Sequence, residues 1–240
     1  MKIGLIGYGK MGRAIEQIAQ ARGHEIVYRV NSQQPIDSVN LSLADVAIEF
    51  TQPALAPAHI RACIQAKVPL VVGTTAWNEH LETIQQEVKA SDSTLLHASN
   101  FSIGVNIVFQ LNERLAKLME SQPDYNAKIE EIHHIQKLDA PSGTAVSLAQ
   151  GILENNKRYH SWKSETGHWP VVNSDELPIQ ALREPNVPGT HTITYDSPVD
   201  SISINHTAHS RDGFALGAVV AAEFIVNKKG CFTMRDVLLF

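Results

Sequence analysis

The 240-residue chain is 43% hydrophobic and 19% charged, which excludes a disordered, collagen-like or coiled-coil protein and leaves room for one large domain or two modest ones. Its net charge of −5, with histidines counted neutral, is too acidic overall for a nucleic-acid binder that works by broad electrostatic attraction. Cys63 and Cys231 stand far apart without a CxxC pair, so neither a disulfide scaffold nor a cysteine zinc site is expected and a reducing cytosol fits best.

Residues 2–6 are a short apolar run bounded by Gly7 and read as a buried strand. The run is too short and too glycine-broken for a signal peptide, and no stretch of about 18 apolar residues predicts a transmembrane helix. Met11, Ile15, Ile18 and Ala19 then recur at helical spacing until Gly23 supplies a stop. Further strands are expected over residues 24–30, 46–50, 69–72 and 94–97, with helices over 58–66 and 79–90 between the later ones. Five short apolar strands alternating with helices predict an α/β fold with a Rossmann-like, doubly wound parallel sheet.

The rhythm changes after a long helical pattern over residues 105–119. Residues 192–195 and 201–204 alternate in period two, as half-exposed antiparallel strands do. Residues 155–188 are polar, rich in proline and histidine and without a clear period, and read as loop. An alanine-rich helical run over 214–226 is apolar enough to pack against the first sheet. The expected organisation is therefore two domains, one of residues 1–103 and 212–240 and an α+β one of residues 104–211 with a mixed or antiparallel sheet. No internal repeat is visible.

Gly7-Tyr8-Gly9-Lys10-Met11-Gly12 is a G-x-G-x-x-G between the first strand and its helix. Gly7 permits the tight turn, Gly9 lets the backbone approach a pyrophosphate, and Gly12 allows helix and strand to pack closely. The helix N-terminus offers free N–H groups to the diphosphate, which makes residues 1–103 with 212–240 a dinucleotide-binding domain. About 20 residues on, where an acid usually holds the ribose, stand Val30-Asn31-Ser32. Neutral Asn31 can hydrogen-bond to a ribose hydroxyl or a 2′-phosphate, and Arg29 is either near that phosphate or a surface charge turned away. Gly73-Thr74-Thr75 closes the fourth strand and Ala98-Ser99-Asn100-Phe101-Ser102 the fifth, both at the sheet edge where such folds bind ligands. Ser99, Asn100 and Phe101 are thus assigned to the nicotinamide half of the cofactor, and hydride transfer is the natural chemistry.

The most informative segment runs from Glu130 to Ala145. As a strand it puts Glu131, His133, Ile135 and Lys137 on one side and His134 on the other; as a helix His133 and Lys137 again share a face. Either way a histidine that titrates near neutrality and a lysine that holds an anion can cooperate. Pro141-Ser142-Gly143-Thr144 opens a helix whose first N–H groups make a second anion site, which suits a substrate with two carboxylates. Histidines at 133, 134, 160, 168, 191, 206 and 209 show no metal-binding spacing, so no metal is expected.

Glu131-Ile132-His133-His134, Lys137 and Asp139-Ala140-Pro141-Ser142-Gly143-Thr144-Ala145 closely resemble the signature of the 4-hydroxy-tetrahydrodipicolinate reductases, also called dihydrodipicolinate reductases. The resemblance extends through the glycine turn, Gly73-Thr74-Thr75, Asn100-Phe101-Ser102, Gly189-Thr190-His191 and the region from His206 through Arg211 to Gly217. It implies an enzyme of the diaminopimelate route to lysine that uses NADH or NADPH to reduce a cyclic, unsaturated dicarboxylate. It further implies that His133 and Lys137 handle the proton, that His134 contacts the substrate, and that Ser142, Gly143 and Thr144 form the carboxylate-binding turn. The same analogy implies that residues 104–211 are the substrate-binding and oligomerisation domain, and a cytoplasmic homotetramer assembled through that domain's sheet is expected. Asn31 departs from the acid that many members carry, which leaves the choice of cofactor open, and the chain is short in its early loops. The rival expectations are another two-domain nicotinamide dehydrogenase and a non-catalytic dinucleotide sensor. Cys63, in a predicted helix, argues against a thiol intermediate.

Overall fold

The computed structural model describes residues 1–210 and 212–239; Arg211 and Phe240, which fall within the two predicted domains, lie outside the described residues. The chain divides into two compact units, one built from residues 1–103 and 212–239 and the other from 104–210. No helix among the described residues is long and apolar enough to cross a membrane.

The first unit holds a sheet of six parallel strands: β1 (Lys2–Ile6), β2 (Glu25–Val30), β3 (Val46–Glu49), β4 (Leu70–Val72), β5 (Thr94–His97) and β11 (Gly230–Phe232), in the order β11-β5-β4-β3-β1-β2. Successive side chains alternate between faces, and both faces are covered, which is why these strands read as unbroken apolar runs. Ile3, Leu5, Ile48, Val71 and Leu96 pack on one face with α1 (Lys10–Ala21) and α6 (Asp212–Ile225). Ile6, Ala47, Leu70, Val72 and Leu95 pack on the other with α2 (Ala56–Ala66) and α3 (Leu81–Ala90). The doubly wound expectation therefore holds, and α6 buries Ala215, Ala218, Val219, Ala221, Ala222 and Ile225 against the sheet's first face. Val219 and Ile225 alone contribute about 1.5–3 kcal/mol each by leaving water.

The sixth strand is a correction to the expected five. β11 is only Gly230-Cys231-Phe232, too short to show a period, and it is recognised by its pairing with β5 (Gly230 with Thr94, Phe232 with Leu96). Its continuation, α7 (Met234–Leu238), begins in a capping box between Thr233 and Asp236.

The second unit opens with α4 (Ile103–Met119), most of which belongs to it, and carries a mixed sheet in the order β10-β9-β6-β8-β7. Its strands are β6 (Asn126–His133), β7 (Ser161–Thr166), β8 (Glu176–Arg183), β9 (Thr190–Asp196) and β10 (Ser201–Thr207). β6 runs antiparallel to β9 and parallel to β8. The apolar core lies between this sheet and α4 and α5 (Gly143–Asn155), where Ala116, Ala149 and Ile152 meet Ile129, Ile179 and Ile193. An Asn112 side-chain amide donates to the Leu148 carbonyl at 2.9 Å and ties the helices together.

β7 and β8 correct the reading of residues 155–188 as loop. β7 is Ser-Trp-Lys-Ser-Glu-Thr, an edge strand with no fully buried residue, so it has no apolar alternation to detect. β8 contains Pro178, which argues against a central strand because it donates no ladder bond. Pairing with β6 begins one residue later, at Ile179, so the missing N–H costs nothing on that side.

Candidate functional site

Gly7 follows β1 directly with φ +99°, and a Cβ there would lie 2.0 Å from the Phe50 carbonyl oxygen. A Cβ on Gly12 would lie 2.2 Å from the Gly7 carbonyl oxygen, so the first turn of α1 rests on the motif itself. Gly9, the N-cap residue of α1, has nothing within 4 Å of where a Cβ would stand. No side chain caps that helix and no acid occupies its first turn, so its positive end is uncompensated.

Beside it lies a cleft of about 370 Å³ lined by Gly9, Lys10, Met11, Phe50, Thr51, Pro53, Gly73, Thr74 and Thr75. The volume lies within the usual range of small-molecule sites. Thr74 is fixed from two directions: its Oγ1 accepts the Thr51 N–H at 2.7 Å, and its carbonyl accepts the Trp77 indole N–H at 2.7 Å. A glycine-lined helix N-terminus with open space over Gly9 and no competing carboxylate in the first turn fits a diphosphate-bearing cofactor.

The rest of the expected cofactor set is engaged differently. Asn31 Oδ1 accepts the N–H groups of Gln33 (2.8 Å) and Gln34 (3.0 Å), so the residue closes the loop after β2. Arg29 is held by an acid on α1. Its Nε reaches both Glu16 oxygens at 3.1 and 3.2 Å, and its guanidinium lies 5.6 Å from the centre of the Tyr8 ring, whose hydroxyl also bonds Glu16. The hydrogen bond from Arg29 holds the Glu16 carboxyl below its ordinary range, against the opposing effect of burial. Ser99 is exposed, and Asn100 Oδ1 accepts the Ser102 N–H at 2.8 Å. Phe101 is a core residue, 2% exposed with its ring 5.6 Å from that of Phe50.

In the second unit, β6 alternates so that Ala127, Ile129, Glu131 and His133 face the interior. The strand ends at His133, and residues 134–137 are a turn closed by the Lys137 N–H and the His134 carbonyl (3.0 Å), which corrects both the strand and the helix expected there. Arg183, on β8, secures the turn by donating to the Asp139 carbonyl at 2.7 Å. The Lys137 ammonium is paired with both Asp139 carboxylate oxygens at 2.8 Å. The Asp139 carboxyl is lowered mainly by that bond.

Glu131 is wholly buried, and both its oxygens accept the N–H of Ser142, the N-cap of α5, at 3.0 Å. Arg183 approaches Glu131 Oε1 at 3.4 Å, His133 Nδ1 approaches Oε2 at 3.4 Å, and His191 Nε2, from β9, lies 3.7 Å from Oε2. The His133 and His191 rings meet edge to face, 5.0 Å between centres. Burial holds His133 below the ordinary histidine range; the Glu131 carboxylate opposes this, while the charges of Lys137, Arg183 and His134 add to it. Burial also pushes His191 down to about 3, so it is neutral at working pH.

The fold thus joins Glu131, His133, Ser142, Arg183 and His191, a set in which the sequence reading assigns roles only to His133 and Ser142. Glu131 was legible as the period-two partner of His133, but nothing along the chain ties Arg183 or His191 to them. Ser142 is turned inward: besides its N–H, its Oγ accepts from the Ala145 N–H (3.2 Å) and pairs with His191 Nε2 (3.1 Å). Gly143 is exposed at the start of α5 with open space about it, Thr144 beside it is half-buried, and His134 is half-buried with Nδ1 sealed from water. Donor atoms of Glu131, His133 and His191 lie within 4.8 Å of one another, a proximity that spacing along the chain conceals. Because the carboxylate already accepts the Ser142 N–H and faces the Arg183 guanidinium, the cluster reads as an anchored acid with its histidines.

The family model described as "Dihydrodipicolinate reductase, N-terminus" matches residues 1–101, and its C-terminal counterpart matches residues 104–238. The chain is 49% identical to 4-hydroxy-tetrahydrodipicolinate reductase of Christiangramia forsetii, over 99% of this chain and 98% of the relative. It is 34% identical to the protein of the same name from Alkaliphilus metalliredigens, over 96% and 95% of the two. Among solved structures, the dipicolinate-bound dihydrodipicolinate reductase of Paenisporosarcina sp. TG-14 shares the fold, with a TM-score of 0.75 and 23% identity over 97% of each chain.

Proposed function

The chain belongs to the dihydrodipicolinate reductase family, and from that premise we propose that it reduces 4-hydroxy-tetrahydrodipicolinate, by way of dihydrodipicolinate, to tetrahydrodipicolinate in the diaminopimelate route to lysine. The observation that carries the reading is His133: a buried histidine with Lys137 close enough to shift its proton affinity, near the N-terminus of α5. Loss of water gives the conjugated ring. A nicotinamide dinucleotide, which the glycine turn and the Gly73-Thr74-Thr75 edge would hold, would supply the hydride for C4 of that ring, and the electron density displaced toward the ring nitrogen calls for a proton.

The chain's own residues supply the rest. His133 with Lys137 delivers the balancing proton, and a histidine pushed down by burial gives up its proton readily once charged. A carboxylate of the substrate is held at the start of α5, by Gly143 and Thr144, with His134 beside it; Ser142 fixes that turn from within. To meet a substrate carboxylate Lys137 exchanges Asp139 for it, one charge-assisted bond for another. The Paenisporosarcina relative binds dipicolinate, a ring dicarboxylate of matching chemistry.

Residues 1–103 with 212–240 bind the dinucleotide, and residues 104–211 bind substrate and assemble the protein, as a cytoplasmic homotetramer. Both NADH and NADPH serve, within about tenfold, or roughly 1.4 kcal/mol, in kcat/KM. Oxidation of either cofactor at 340 nm, with substrate generated in situ by the preceding synthase, tests the proposal. Folded, dinucleotide-binding protein that fails to turn over would sink it in favour of a sensor.

A further inference from the structure

We infer that Glu131 is a positioning residue that sets the tautomer and proton affinity of His133 from the Nδ1 side, so that the proton is exchanged at Nε2 across the face that Gly189 leaves uncovered. This rests on the assignment of His133 as the acid.

Glu131 and His133 are two residues apart on β6, so the pleat puts both on the buried face. The carboxylate cannot swing away. Both oxygens accept the Ser142 N–H at 3.0 Å, at the positive end of the 13-residue helix α5, and Arg183 flanks it at 3.4 Å. His133 Nδ1 lies 3.4 Å from Glu131 Oε2, an ion-pair distance short of a formed hydrogen bond, and is sealed from water without a hydrogen-bond partner. A buried ring nitrogen left unpaired is costly, so the small closing movement that lets Nδ1–H donate to Oε2, the carboxylate oxygen facing it, is favoured. In neutral His133 that places the proton on Nδ1 and the lone pair on Nε2.

Gly189 supports the other half. A Cβ there would stand 3.0 Å from His133 Nε2 and 3.2 Å from Cδ2, so any side chain would cover the nitrogen that exchanges the proton. The charged and titratable groups around the ring come from four elements: Glu131 on β6, Arg183 on β8, His191 on β9, and His134 and Lys137 in the turn. Of these Glu131 alone favours the protonated ring. It therefore offsets the burial and the cations that otherwise discharge His133 early.

The test is Glu131→Gln, read by the pH profile of kcat/KM and by the ring ¹⁵N shifts of His133. Glutamine keeps one acceptor for Ser142 and presents an amide N–H to Nδ1, which reverses the tautomer. The alkaline limb should move down by about one pH unit, with dinucleotide KM unchanged, and the ¹⁵N shifts should report the proton on Nε2. A wild-type limb with wild-type ¹⁵N shifts overturns the inference. Should Glu131→Gln not fold, the wild-type spectrum decides: neutral His133 carrying its proton on Nε2 overturns it equally. Gly189→Ala should lower kcat at least about tenfold without moving the ¹⁵N titration, and wild-type kcat in that variant removes the Nε2 face. If His133→Ala keeps its kcat, the assignment of the acid fails while the tautomer result stands, so the two failures are distinguishable.

Discussion

The glycine turn and the histidine cluster treat polar groups in opposite ways. Around Gly7 to Gly12 the side chains are satisfied: Tyr8, Glu16 and Arg29 bond one another, and Asn31 closes its own loop. Around the histidine cluster, Nδ1 of His134 and His191 is buried without a hydrogen bond, and Nδ1 of His133 has only the Glu131 carboxylate facing it at 3.4 Å. The difference follows from what each is built to do. A diphosphate is met by backbone N–H groups and a helix end, which the fold supplies without leaving any side chain wanting. A site that moves protons fixes one ring nitrogen and leaves others short of partners, at about 1–3 kcal/mol apiece, and the rest of the mixed-sheet unit has to offset that.

The sharpest break comes from His133→Ala, which should lose on the order of 10²–10⁴ in kcat while dinucleotide affinity stays nearly unchanged. Near-normal kcat would reduce the histidine cluster to a structural feature. Lys137→Ala should lose roughly 1.5–3 kcal/mol in kcat/KM, through both proton delivery and dicarboxylate binding; wild-type kcat and KM would leave it a surface partner of Asp139. On the other side, Gly12→Ala sets a Cβ against the Gly7 carbonyl oxygen and should cost about 1–3 kcal/mol in overpacking. Dinucleotide affinity measured by fluorescence should fall in proportion, and an unchanged value would show that the turn can open freely.

A subtler contrast concerns acid. His191 stays neutral in the folded state down to about 3 but takes a proton near 6.5 when unfolded. The unfolded chain then binds more protons, so this stability is complete above about pH 6.5 and is lost as pH falls toward 3, by at most about 1.4 kcal/mol per unit. Denaturant unfolding at several pH values should show that slope in the wild type and a shallower one in His191→Gln; equal slopes would mean the ring is not held neutral. The smallest effect belongs to Asn31→Asp. An aspartate can still accept from Gln33 and Gln34, so the loop survives while the new charge disfavours a 2′-phosphate. The NADH to NADPH ratio of kcat/KM should rise by about tenfold, roughly 1.4 kcal/mol, and an unchanged ratio would mean that another residue reads the ribose.

How much was legible in the sequence follows the same division. The glycine turn is contiguous, and its roles are steric, so six residues suffice to read it; the alternating strands and helices around it show their period for the same local reason. β11 and β7 escaped because one is three residues long and the other an exposed edge. The cluster was half legible: His133 and Lys137 stand in one motif, but Arg183 and His191 join them only because β8 and β9 flank β6. Arg29 was ambiguous because its partner, Glu16, lies on α1, 13 residues earlier. Asn31 was assigned to the ribose by position alone, and a single sequence gives no sign that an asparagine oxygen is already bonded to the next turn.

The first unit is assembled from two stretches of chain separated by roughly a hundred residues, with α6 and β11 in the second stretch. On the ribosome this imposes an order. At about 5–20 residues per second, β1 to β5 emerge and then wait about 5–20 s before α6 can cover the face carrying Ile3, Leu5 and Ile48. During that interval the edge of β5 has no neighbour and an apolar surface is bare, whereas the intervening unit has all its strands and can close by itself. Nascent chains of this protein therefore expose their first-made half longest, and a chaperone that holds apolar surface has its window there.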